Sequence, residues 1–264
     1  MNIFLREVKA NLKSLLIWGG IVSLFIVIGI SKFSAYEGNP DLLAILDSLP
    51  PAMLEAFQFN AFNLTTITGF FGVMFTYFAV LLSVAATMWG SDIITKEERD
   101  KTVEFSLTLP VSRTKLVSAK ILAAVVNCVG LVLITWGALQ ISVAPYQPDA
   151  AFYKFMRLSI FALFFMQMIF LAVGIFLGSA MKQHKRASSI AVSILLGTYF
   201  LSIIAGLKQD WEFLKFVSPF KYFDPAALLR DSRLDMTYVG LSAGLIVVLL
   251  AGAYLSYSKR DLYI

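Results

Sequence analysis

Ser242 and His184 are the side chains whose types suit nucleophilic catalysis. Ser242 sits in GLSAG, Gly240 to Gly244, with the glycine-x-serine-x-glycine spacing of a nucleophile elbow. His184, the only histidine, is the residue type that would accept the serine proton. That chemistry needs the two within hydrogen-bond reach and the serine on a strand-to-helix turn. GLSAG lies instead in an apolar helical run, and His184 lies in KQHKR, across most of the apolar thickness from it. Small residues four apart suit helix packing better, which pairs Gly240 with Gly244 and Gly174 with Gly178. Cys128 is the single cysteine, so no disulfide framework and no thiolate metal site is expected. No G-x-x-x-x-G-K-[ST] run occurs, so no nucleotide phosphate is cradled in the usual way. The reading is therefore a non-enzyme: no catalytic residue, no metal ligand and no cofactor in this chain.

The remaining concentration of chemistry is ITKEERDKTVEFSLTLPVSRTKLVSAK, Ile94 to Lys120, which carries both signs of charge. Thr102 is a good N-cap for a helix over Val103 to Leu109, with Glu104 in the first turn, where the helix dipole favours an acid. Pro110 ends it, because the residue before a proline is pushed out of the helical region. Two turns are fewer than the ~12 residues that an isolated helix needs in water. Val103/Leu107 and Phe105/Leu109, each four apart, put apolar groups on more than one side. Such a helix requires a partner groove, and Lys96 to Lys101 would form a mixed-charge rim around the contact. The plain alternative is a solvated loop whose cations set topology.

Those residues need a scaffold, and the composition supplies it. The 264 residues are 58% hydrophobic and 15% charged, with long stretches free of ionisable groups, which marks an all-α integral membrane protein. A window of about 19 residues finds six spans, Leu15 to Ile30, Thr66 to Met88, Ile121 to Ala144, Leu158 to Met181, Ser188 to Leu207 and Val239 to Tyr257. The first is not expected to be a cleaved signal, since no small-x-small site follows it. No linker divides the chain, so a single membrane domain over 1–264 is expected. Fourteen of the 22 Lys and Arg residues then fall on the side of the termini and eight on the other, which favours cytoplasmic termini. The net charge of +5 suits membrane anchoring, and no nucleic-acid partner is expected. The six spans contain no Asp, Glu, Lys, Arg or His, which disfavours coupling to an ion gradient.

At the N-terminus, Phe4, Val8 and Leu12 share one helical face while Arg6, Lys9 and Lys13 occupy another, as in an interfacial amphipathic helix. Before the last span, DWEFLKFVSPFKYFDP, Asp210 to Pro225, places interfacial aromatics around Pro219. Asp41 to Leu49 and Ala52 to Phe59 read as short amphipathic helices separated by Pro50 and Pro51.

The run Glu97, Thr102-Val103-Glu104, Pro110-Val111-Ser112-Arg113 and Lys120 resembles the "E…gT.E.ll..P.sR……K" signature between the second and third spans of ABC transporter permeases of the type-2 exporter superfamily. The likeness extends to six spans, the amphipathic start, the short KQHKR loop and the basic SKRDL ending. Lys101 stands where such permeases commonly have glycine. The resemblance implies an elbow helix over 1–14, a coupling-helix loop over 91–116 and an outer re-entrant loop over 208–238. It also implies a homo- or heterodimer of permease chains served by two copies of a separate ATPase subunit that holds ATP and Mg. Docking to that ATPase would involve Glu97, Arg99, Lys101, Thr102, Glu104, Phe105, Leu107 and Leu109, with Arg6 and Lys9 of the elbow and His184 of the second inner loop. The first, second and fifth spans would line the pathway, through Thr68, Phe71, Phe75, Tyr77, Phe78, Thr198, Tyr199 and Ser202. Hydroxyls and rings without charge suit an amphipathic, lipid-like or peptide or antibiotic substrate, moved out of a bacterial cell by alternating access. The alternatives are a membrane anchor or sensor that recruits an ATPase, a gradient-driven carrier, and a sodium exporter.

Overall fold

A backbone in hydrocarbon must satisfy its own hydrogen bonds, and a run of apolar residues does so by continuing as helix. The computed structural model describes residues 3–39, 41, 48–50, 53–54, 59–101, 111–181, 183–207 and 209–259, and they follow this rule. Six long helices result: α1 Ile3–Ser31, α2 Ile67–Arg99, α3 Arg113–Val143, α4 Ala150–Ala180, α5 His184–Leu207 and, after two short ones, α8 Met236–Lys259. The short pair are α6 Pro219–Tyr222 and α7 Pro225–Asp231, and no strand occurs among the described residues. All six long helices hold segments apolar and long enough to cross a membrane, so each expected span is present.

The helices outrun the apolar windows because hydropathy marks only where lipid is, whereas helix hydrogen bonding continues until a cap intervenes. Thr66 caps α2 by accepting from the Gly69 N–H at 3.2 Å, and Asp149 caps α4 through the Phe152 N–H at 2.8 Å. At the other end α2 runs to Arg99, so residues 91–99 of the expected loop are helical. Lys96 and Arg99 stand in its last turn, where cations suit the helix dipole. The amphipathic N-terminal stretch is likewise continuous with the first span as α1. The expected helices at 41–49 and 52–59 fall largely outside the described residues.

Lipid tails are as apolar as leucine, so close fit decides which helices meet in a membrane. The tightest approach is α2 against α4. A Cβ placed on Gly174 would lie 2.4 Å from the Thr87 carbonyl oxygen, and one on Gly90 would lie 2.4 Å from that of Leu171. Gly178 faces Ser91 in the same seam. The pairing of Gly174 with Gly178 is therefore real packing, whereas Gly240 and Gly244 face open space within the chain. Ser242 is buried and donates to the Tyr238 carbonyl at 2.7 Å, a bond within its own helix.

Phe71, Phe75 and Phe78, expected on the pathway, are in the interior of the chain. Phe71 meets Phe152 and Phe155 of α4 at 5.4 Å each, and Phe78 meets Phe25 of α1 edge-on at 6.0 Å. Farther along, residues 209–231 fold against the bundle as short helices: Ser218 donates to the Thr198 carbonyl at 2.7 Å, and Phe223 stacks on Phe165.

Candidate functional site

The end of the bundle where α1 begins and α8 finishes, the near end, holds a ladder of alternating charges. It starts from Glu7 of α1, whose two oxygens serve different cations. Oε1 lies 3.2 Å from Arg6 Nη2, and Oε2 pairs with Lys96 of α2. The same Arg6 nitrogen lies 3.3 Å from Glu97 Oε1, and Glu97 Oε2 lies 3.1 Å from Lys120 Nζ of α3. Lys120 also donates to the Ile93 carbonyl at 2.9 Å. Glu7 is 1% exposed, Glu97 8% and Lys120 0%. Charges taken out of water persist only when paired and hydrogen-bonded, and here each buried charge has an opposite neighbour. The ladder thus joins three helices through groups that none of them could bury alone.

Its position follows from helix register. Ser14 is seven residues after Glu7, and Trp89 is seven before Lys96, which is about two turns along antiparallel neighbours. Trp89 Nε1 donates to Ser14 Oγ at 2.8 Å. The acid and the serine therefore share one face of α1 and meet one face of α2.

Ser112 and Arg113 of the signature are exposed and bond within the chain. Ser112 caps α3 by accepting from the Lys115 N–H at 3.2 Å. Arg113 Nη1 donates to the Ser258 carbonyl at 3.3 Å, which satisfies a carbonyl that the end of α8 leaves without a helical partner. Lys101 has φ +55°, the left-handed region that glycine enters without strain. The glycine common at this position in similar permeases thus has a backbone reason. Lys101→Gly is expected to raise unfolding free energy by about 0.5 kcal/mol, as relief of left-handed strain outweighs glycine's extra unfolded-state entropy. Lys101→Val is expected to lower it by about 1 kcal/mol. Thermal unfolding of both variants in detergent checks the pair.

Of the expected docking residues, Glu97 is buried in the ladder, between Arg6 and Lys120. Arg6 is half-buried in the same ladder. Arg99 is exposed and pairs with Asp92 and Asp100, while Lys9 and Lys101 are exposed. Thr102, Glu104, Phe105, Leu107 and Leu109 lie outside the described residues, as does the side chain of His184, at which α5 begins. Sequence reasoning missed Glu7, although one acid among Arg6, Lys9 and Lys13 on an otherwise apolar helix was a readable sign of an internal partner.

A cavity of about 320 Å³ opens beside the ladder, between α1, α2 and α5. Ser14, Trp18, Trp89, Asp92, Arg99 and Ser188 line it. None of the expected pathway residues lines this cavity. Thr68 and Tyr77 are half-buried, with Tyr77 beside Phe25 of α1 at 6.4 Å. On α5, the Thr198 hydroxyl donates to the Leu195 carbonyl and that of Ser202 to the Tyr199 carbonyl. Tyr199 meets Phe220 edge-on at 5.4 Å. Among the described residues, no His, Cys, Asp and Glu cluster suited to a metal ion occurs.

Residues 1–262 match the family model described as ABC-2 family transporter protein. The comparison with curated proteins gives no match.

Proposed function

The chain belongs to the ABC-2 family of transporter proteins, and on that premise we propose that it is the membrane-spanning half of an ATP-driven exporter. As a multi-pass permease of that family it works with an ATPase subunit. In the proposed assembly two permease chains pair, and two copies of the ATPase bind ATP and Mg and carry out all hydrolysis. The termini face the cytoplasm of a bacterial cell, so the near end is the inner one.

The observation that carries this reading is the charge ladder. Residues 102–110 are bracketed by Glu97 and Lys120, and those two side chains form a buried ion pair. A push on that segment is therefore delivered to three clamped helix ends together, not absorbed by a loose loop. ATP-driven closure of the ATPase pair would move the ends of α1, α2 and α3 as a unit. The cavity beside them, with Trp18 and Trp89, is the proposed point of access for an amphipathic, lipid-like or peptide substrate. Residues 219–223, set among Phe165, Phe170 and Tyr199, would form the outer turn that closes the far side.

Phe105→Asp is the test. In inside-out vesicles holding the permease and its ATPase, this variant is expected to abolish ATP-dependent movement of a fluorescent amphiphile. An apolar docking contact loses roughly 2 kcal/mol or more when it must take a charge. Full transport with an undisturbed complex would overturn the docking reading. Transport driven by an ion gradient, without the ATPase, would favour a carrier. ATPase recruitment with no transport of any amphiphile would favour a sensor.

A further inference from the structure

We infer that the far end of the bundle carries a binding site for an anionic phospholipid headgroup. The site is a cavity of about 1090 Å³ bounded by the ends of α4, α5 and α8 and by residues 215–235. That volume is slightly above the usual range for small-molecule ligands, roughly 300–1,000 Å³. Its floor is the ring of Tyr222 stacked on Tyr238 at 5.3 Å and 15°. The Tyr222 hydroxyl is fixed by donating to the Phe216 carbonyl at 2.6 Å.

The charges around it are not equivalent. Asp224 caps α7 by accepting from the Ala226 N–H, and Asp235 accepts from the Thr237 N–H at the start of α8. Asp231 is held by Arg230 at 2.9 Å, a hydrogen bond that keeps its carboxyl below the ordinary range. Each of the three lining acids is thus engaged by the chain itself. Arg233 lines the same cavity, is exposed, and makes no hydrogen bond among the described residues. Its planar fork matches a phosphodiester. Lys221 also lines the cavity, its Nζ 3.5 Å from Asp224 Oδ2.

The walls indicate an amphiphile and not a free anion. Leu158, Ala205 and Met236 continue the cavity along the helix ends. Phe213, Phe216 and Val217 are exposed beside it, as aromatic and aliphatic groups are at the level of headgroups. A phosphate held by Arg233 would leave its acyl chains against these surfaces, and basic pockets between membrane helices take anionic headgroups in this manner. The site itself follows from the cavity. Only the leaflet that fills it, the outer one, rests on the proposed orientation.

The test uses the full-length chain in nanodiscs of phosphatidylcholine with a minor share of phosphatidylglycerol, with bound lipid read by native mass spectrometry. The wild type is expected to retain phosphatidylglycerol selectively. Arg233→Glu should lower that retention about tenfold, and Arg233→Lys should keep most of it. Equal retention of the two lipids, or no change in Arg233→Glu, would overturn the inference. So would displacement by inorganic phosphate at millimolar concentration, which would make this a site for a free anion. Arg233→Cys, probed in whole cells with a membrane-impermeant maleimide, reports the leaflet. Labelling from outside supports the outer one, and labelling only after the inner face is opened would overturn the orientation while leaving the lipid result intact.

Discussion

Replacing Glu97 with leucine is expected to destabilise the protein by about 3–5 kcal/mol, the cost of stranding a buried charge by removing its partner. The stranded charge is Lys120, which is fully buried and would keep only the Ile93 carbonyl. Arg6 would lose its second carboxylate as well. The measurement is thermal or denaturant unfolding in detergent, alongside ATP-dependent transport. Two comparisons separate charge from shape. Glu97→Gln keeps the volume and should still cost most of the stability, because an amide cannot neutralise Lys120. The exchange Glu97→Lys with Lys120→Glu restores opposite signs and should recover part of the loss. If Glu97→Leu unfolds at the wild-type midpoint, the ladder is not what holds the ends of α1, α2 and α3 together.

The second large effect is expected at Gly174. Its α-hydrogen side faces the Thr87 carbonyl oxygen, and an added Cβ would lie 2.4 Å away, a contact with backbone that no rotamer change relieves. Gly174→Ala should therefore push α4 off α2 and cost at least about 2 kcal/mol. Gly240→Ala is the matched control, since a Cβ there meets nothing within 4 Å. It adds the same methyl to a membrane helix and should be neutral or slightly stabilising through helix propensity. Equal stability of the two variants would show that the seam of α2 and α4 is looser than its geometry implies.

The spans were legible because they depend on composition alone. Twenty or so apolar residues in a row mean a membrane helix whatever surrounds them, and all six windows lie on long helices. The signature between α2 and α3 was legible as a pattern of residues but not as a set of roles. Glu97 and Arg99 look alike on paper, two charged residues near the end of a helix. One is buried in a ladder and the other is exposed beside Asp92 and Asp100. Nothing in residues 94–101 distinguishes them, because the partner that buries Glu97 is Lys120, 23 positions away. The phenylalanines of α2 show the same limit. Phe71 and Phe78 share a span, yet Phe71 meets Phe152 and Phe155 on α4 whereas Phe78 meets Phe25 on α1.

By itself, then, the amino-acid order determined the class and the number of spans, and it singled out residues 94–120 as the segment where charge of both signs is concentrated. These are local properties, set by hydropathy, by caps and by proline, and they do not depend on which helix lies beside which. Tertiary structure alone decided that Glu7, Lys96, Glu97 and Lys120 meet, that Gly174 and not Gly240 bears a helix contact, and that Arg233 lines a cavity. Each of these turns on the rotation of one helix about its axis relative to a neighbour. In a membrane, where every face is apolar, sequence periodicity carries little record of that rotation, and only the packed bundle specifies it.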